Sequence, residues 1–178
     1  MAAQQPSGAG LPDLFGTEAA LEFADRLRLF GQFVGAWDMR VRFFDEDGAT
    51  VFDGPGLWEF AWILDGRAIQ DTLSYDEAGR FPAPAGQRRI GTTIRSYHQS
   101  SDTWHQVWVS PRAELFIAMQ ASAADEGILI TGLDMDGSRL QWAFTDITAE
   151  SFIWTGRTSV DGESWRIEQV MVAQRRQV

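Results

Sequence analysis

The chain has 178 residues, 44% of them hydrophobic, and a net charge of −10. It is long enough to bury a sizeable core, and its charge opposes both nucleic-acid phosphates and an anionic membrane surface. It has no cysteine and all fifteen basic residues are arginine, which excludes disulfides, thiol nucleophiles, thiolate metal sites and Schiff-base lysines.

Residues 1–12, with Pro6 and Pro12, read as a loose tail and 13–178 as one domain. No apolar run approaches the ~20 residues that cross a bilayer. The first residues lack the basic start and apolar stretch of a leader, so a cytoplasmic location is expected. Thr17 is placed to cap a helix over 18–30, on which Leu21, Leu27 and Phe30, with Phe23 nearby, form an apolar stripe. Such a helix would close one end of a barrel or, alternatively, engage a partner.

From Gly35 the pattern turns to period two. Trp37, Met39, Val41 and Phe43 alternate with Asp38, Arg40 and Arg42, the mark of a half-buried strand. Asp47 and Gly48 lead into a second strand that runs to Leu64 with an interruption at Gly54-Pro55-Gly56. A hairpin at Asp65 and Gly66 puts Trp58, Phe60 and Trp62 on the face of Ile69, Asp71, Leu73 and Tyr75. The Pro- and Gly-rich stretch 76–88 is expected to border a pocket mouth.

The stretch 91–111 holds both histidines and reads as two strands. A two-residue turn at Ser101 and Asp102 would set Arg95 against Trp108, Tyr97 against Gln106 and His98 against His105. The face with Arg95, Tyr97, Gln106 and Trp108 competes with the more apolar histidine face for the interior. We expect Arg95 and Tyr97 inside. Pro111 and Arg112 break the pattern, and strands follow over 115–121 and 128–135. A turn at Asp136 and Gly137 would place Leu129, Thr131 and Leu133 with Leu140, Trp142 and Phe144. The last hairpin, turning at Asp161 and Gly162, would put Phe152, Trp154, Trp165, Ile167, Gln169 and Met171 on one face.

About ten strands joined mostly by short hairpins, with one N-terminal helix, predict an all-β fold: an antiparallel meander barrel that closes to remove its edges. At this size the interior holds one small ligand. The rival cone-shaped α+β barrel of small isomerases needs several N-terminal helices, and one is visible.

Gly35-Ala36-Trp37, behind a helix at the head of the first strand, resembles the G-x-W signature of the lipocalins and the wider calycin superfamily. In those barrels the tryptophan plugs the closed end. Thr145-Asp146-Ile147 is similar to their T-D-Y motif, and Arg166 or Arg175 would be the late arginine over the tryptophan. The pattern also resembles bacterial lipocalin-like proteins of unknown function. It shares with them F-x-G-x-W, a central motif G-T-x-R-x-Y (Gly91, Thr92, Arg95, Tyr97, with one extra residue) and a late R-x-S-x-D-G-x-x-W ending at Trp165. Arg95-Ser96-Tyr97 is similar to the carboxylate-gripping R-x-Y of fatty-acid-binding proteins, moved here to a middle strand. Nitrobindin-like barrels bind haem through a late histidine, and no histidine follows His105.

Asp71, set among apolar residues, is the candidate proton shuttle, since a desolvated carboxyl has a raised pKa. A structural pair with a buried arginine is its plainer reading. Arg95 and Tyr97 would stabilise developing negative charge, and His105 is a second candidate base. Trp58, Phe60, Trp62, Tyr75, Gln106, Trp108, Trp154 and Gln169 would line the site, though most tryptophans are as readily core. Two histidines are too few for a metal site, and no cofactor motif is present. These features lean towards a cofactor-independent lyase or isomerase acting on a small apolar or aromatic molecule. The alternatives are a non-catalytic carrier or sensor and, behind it, a haem barrel; homodimerisation is left open.

Overall fold

The computed structural model describes residues 16–75 and 89–177. Ten strands run in meander order: β1 (Gly35–Phe44), β2 (Thr50–Ile63), β3 (Ala68–Tyr75), β4 (Arg89–His98), β5 (Thr103–Ser110), β6 (Leu115–Ala124), β7 (Gly127–Leu133), β8 (Arg139–Thr145), β9 (Ser151–Ser159) and β10 (Arg166–Arg175). Each pairs antiparallel with its sequence neighbours, and β1 pairs with β10, so the sheet is a closed barrel without edges. The expected all-β meander barrel is the fold. The stretch 76–88, expected at the pocket mouth, lies outside the described residues.

The helix is shorter than its sequence pattern. A 3-10 turn, Leu21–Phe23, leads into α1 (Ala24–Gly31), and neither start carries a side-chain cap. Residues 16–20 cannot join the helix because their backbone serves the β2–β3 hairpin: Gly16 N donates to Trp62 O at 2.8 Å and Ala20 N to Gly66 O at 3.1 Å. Leu21 therefore leaves the expected stripe and is 90% exposed, while Leu27 and Phe30 are buried. The helix covers the barrel end where β1 begins and β10 finishes, as a plug.

Four further expectations need correction, three of them from turn length or bulges. β2 is unbroken through Gly54-Pro55-Gly56. Its glycines face inward opposite Val41 and Met39, where a methyl at Gly56 would come within 2.9 Å of Val41 Cγ2. The β4–β5 turn takes four residues, 99–102, with Asp102 at φ 50°. Arg95 thus faces Gln106 and Tyr97 faces Trp104. This slip of two positions leaves every side chain on its expected face. The β7–β8 turn spans 134–138, closed by Asp134 N to Ser138 O at 2.8 Å. That slip is one position, so Ile128, Ile130 and Gly132 share the inner face with Trp142, in place of Leu129, Thr131 and Leu133. In β10 the register shifts between Ile167 and Gln169, which turns Ile167 outward opposite Arg157.

Candidate functional site

The inward side chains form three tiers along the barrel axis. At the plugged end, Phe33, Trp37, Trp58, Phe144 and Phe152 interlock with ring centroids 4.7 to 5.9 Å apart where they touch most closely. Trp37 Nε1 donates to Phe33 O at 2.7 Å. The Arg175 guanidinium lies 4.1 Å from the Trp37 ring centroid and donates to the carbonyls of Gln32, Val34 and Ala149. Of the two candidate arginines it is Arg175 that covers the tryptophan; Arg166 opens β10 at the opposite end and pairs with Glu168.

The middle tier is polar. Asp71 and Arg95 face inward from β3 and β4 and are 1% and 2% exposed. Arg95 Nη1 donates to Asp71 Oδ2, Arg95 Nε to Gln106 Oε1 at 3.1 Å, and the Thr93 backbone N to Asp71 Oδ1 at 3.3 Å. Gln106 Nε2 reaches Met119 Sδ at 3.7 Å. The guanidinium carbon lies 5.1 Å from the Phe30 ring centroid and 5.6 Å from that of Phe60, so aromatic faces meet the rest of the cation. Two charges that would be prohibitive alone are matched within one dry belt.

The third tier, away from α1, is different. Trp108, Trp142, Phe43, Phe52 and Gln169 point inward by register yet are only half-buried. In a closed barrel an inward side chain meets solvent through the lumen, so their partial exposure shows that this end of the barrel is accessible to solvent. Two glycines explain how bulky rings leave room. A methyl at Gly91 would come within 2.5 Å of Trp108 Cη2, and one at Gly156 within 2.8 Å of Trp154 Cη2. The indoles lie back against bare backbone and line the wall. Tyr75 closes this tier near the rim with Phe43 and Phe52, centroids 5.4 and 5.9 Å away.

The predicted site residues therefore separate. Asp71, Arg95 and Gln106 come together in the belt; Trp108 and Gln169 line the hollow, with Trp154 at its base. Trp58 and Phe60 belong to the plugged core, and Trp62 packs against Gly31 of α1. Tyr97 is not beside Arg95's partners: its hydroxyl donates to Asp102 Oδ1 at 2.8 Å at the β4–β5 turn. That bond to a carboxylate, with some burial and the nearby negative charge, raises the phenol above its ordinary pKa. It borders a cleft of about 1050 Å³ beside α1. His105 faces outward, stacked on His98 with centroids 4.5 Å apart. The sequence reading missed Trp142 and Phe43 as lining, although both followed the right alternation; the inward Gly156 opposite Trp142 was the available signal.

Among the described residues, no cluster of three His, Asp or Glu side chains offers a metal site. No described helix is long and apolar enough to cross a membrane. Among buried side-chain nitrogens and oxygens of the described residues, two lack a hydrogen-bond partner: Trp58 Nε1 inside the barrel and His105 Nε2 on its outer face.

Fold and site together define a ten-stranded antiparallel barrel with one end plugged by α1 and the other open to solvent. The crystal structure of Rv2717c from M. tuberculosis is similar to it, with a TM-score of 0.60 and 12% identity over 90% of this chain and all of that one. That likeness is one of fold. A structure of EF1p2_mFAP2b bound to DFHBI matches at a TM-score of 0.38 and 13% identity, over 85% of this chain and 99% of that one, too distant to support an argument. No family model and no curated protein matches the sequence.

Proposed function

We propose that the barrel is a carrier or sensor of the calycin type, binding a small, flat, apolar or aromatic molecule in the hollow half of its lumen. The observation that carries this reading is the pair of inward, half-exposed indoles, Trp108 lying over Gly91 and Trp142 set opposite Gly156. Such surfaces take a planar ring by stacking.

The same geometry weighs carrier against lyase or isomerase. A proton shuttle needs a free acid or base facing the ligand. Asp71 is engaged by Arg95 and a backbone N–H, and Tyr97 and His105 lie away from the hollow. Trp58 Nε1 is a donor only, so it cannot take a proton from a substrate. The haem reading has weaker support still, because both histidines project from the outer face of the β4–β5 ribbon.

The test is titration with 1-anilinonaphthalene-8-sulfonate, reading dye fluorescence and energy transfer from tryptophan. Binding weakened about tenfold or more by Trp108→Ala and by Trp142→Ala, but unchanged by Tyr97→Phe, is expected. Dye binding indifferent to both tryptophans, or lost in Tyr97→Phe, would move the site to the cleft beside α1.

A further inference from the structure

The interior of the barrel leaves a hydrogen bond unmade. Trp58 is 3% exposed. Among the described residues, its Nε1–H is the interior side-chain donor that is buried and has no partner. Native proteins pair nearly all such groups, because an unpaired one forfeits the bond it made with water. The four rings in contact with the indole, those of Phe60, Phe144, Phe152 and Trp154, carry no acceptor oxygen or nitrogen. Across the strands it faces the side chains of Trp37 and Leu73, which offer none either. The carboxylate nearest by register, Asp71 on the diagonal in β3, already takes the Arg95 guanidinium and the Thr93 N–H.

A second interior donor is weakly engaged. Gln106 gives its oxygen to Arg95 Nε, and its amide nitrogen has Met119 Sδ as its contact, at 3.7 Å; a thioether is a weak acceptor. The unspent capacity of the two side chains is therefore of one sign: both offer N–H and ask for a lone pair. A water on Trp58 Nε1 would make one hydrogen bond among aromatic rings, where a buried water ordinarily makes about three. An oxygen or nitrogen carried in on an apolar framework suits the site better. The way in is from the end away from α1, past Trp154. That indole stands nearly perpendicular to Trp58, with centroids 6.3 Å apart, and lies over Gly156, so it is the ring that can tilt to admit an acceptor.

We propose that Trp58 Nε1 is the inner anchor of the ligand site, and that the molecule bound there is a neutral, planar aromatic bearing an acceptor, a carbonyl oxygen or an unprotonated ring nitrogen. The acceptor takes the indole N–H, and the ring lies along Trp154 and Trp142, whose centroids are 5.4 Å apart. This inference rests on the ligand reading above and names the chemistry of the ligand. A single donor in an aromatic setting also sets the ligand's charge. One N–H satisfies a ketone oxygen, whereas a carboxylate needs several donors or a counter-ion to enter such surroundings. The cation of the belt, Arg95, is already matched by Asp71.

Equilibrium dialysis of the full chain against 2-acetylnaphthalene and 2-isopropylnaphthalene tests it. The two probes share a shape, and the carbonyl oxygen of one is a methyl group in the other. The ratio of their affinities removes what the naphthalene ring alone contributes. Trp58→Phe should lower that ratio, ketone over hydrocarbon, about fivefold or more. Nuclear magnetic resonance of the wild type supplies a second reading, which decides the matter where far-ultraviolet dichroism shows Trp58→Phe to be unfolded. The Trp58 indole N–H resonance should move downfield with the ketone and not with the hydrocarbon. A ratio unchanged in folded Trp58→Phe, or an indole resonance that the ketone does not move, overturns the proposal and leaves ring binding at Trp108 and Trp142 in force. Failure of both probes to bind, with dye binding indifferent to Trp108→Ala and Trp142→Ala, overturns the ligand reading itself and this proposal with it.

Discussion

Both halves of the barrel interior are lined with aromatic rings, yet one is solid and the other hollow. At the α1 end, rings from β1, β2, β5, β8 and β9 meet one another, Phe30 of α1 and Phe33 just beyond it. At the other end Trp108 and Trp154 lie across Gly91 and Gly156. Aromatic rings line both ends, so their presence alone does not separate packed core from solvent-accessible wall. What separates them is a neighbouring glycine on the same face: Gly91 lies diagonal to Trp108 and Gly156 two residues along the strand from Trp154, so those rings lie over bare backbone, whereas the rings at the α1 end meet other side chains. The Asp71–Arg95 belt lies between the two regimes.

The largest effect should come from breaking that belt. Asp71→Ala leaves Arg95 buried without its counter-ion, and should cost about 3–5 kcal/mol of unfolding free energy in urea. Replacing both partners, Asp71→Leu with Arg95→Met, should recover most of the loss, because no unpaired charge remains. A loss below about 0.5 kcal/mol for Asp71→Ala, typical of a surface position, would show that water reaches the belt. The plugged and hollow halves would then be continuous.

Gly91→Ala acts on the end of the barrel away from α1. The added methyl meets both Trp108 Cη2 and the Val109 carbonyl oxygen at 2.5 Å, so the indole and the β5 backbone must both give way, at a cost of about 1–3 kcal/mol or more for overpacking. The displaced ring would enter the hollow and lower affinity for the anilinonaphthalene dye. A variant that loses stability but binds the dye as wild type does would mean that the ring's position does not shape the site.

The strand count, the alternation and the closed meander were legible in the sequence, because period-two patterning and Asp-Gly turns are local signals. Register was legible only in parity. Turn 99–102 slipped the pairing by two, which keeps Arg95 and Trp108 inside; turn 134–138 slipped it by one, which exchanged Ile130 for Thr131 on the inner face. The Asp71–Arg95 pair needed the β3–β4 register, and the long connection over 76–88 provides no short turn to fix it. The separation of Tyr97 from Arg95 was hidden for a related reason. Two residues along one strand share a face but sit at different depths, and the tilt of a closed barrel carried Tyr97 to the α1 end, where Asp102 and Phe23 meet it.

The smallest expected effect concerns the turn that joins β9 to β10 at the hollow end. Asp161 Oδ1 accepts from the backbone N–H groups of Ser164 and Glu163, each at 2.8 Å, and from Ser159 Oγ at 3.0 Å. Those bonds, that of Ser164 foremost, lower its pKa from 3.8 to about 2. The folded value lies below the unfolded one, so the contribution to stability is fully present above about pH 4 and is lost as the pH falls towards 2. Asp161→Ala should therefore destabilise the protein modestly at pH 7 by urea denaturation, and the gap from wild type should narrow steadily below pH 4. Amide protection factors at Glu163 and Ser164, corrected for the pH dependence of intrinsic exchange, should fall over the same interval, ahead of those of amides beside Trp37. A gap that stays constant from pH 7 to the acid limb would mean that the carboxylate does not hold this lip of the barrel, and that the hollow end owes its shape to the strands alone.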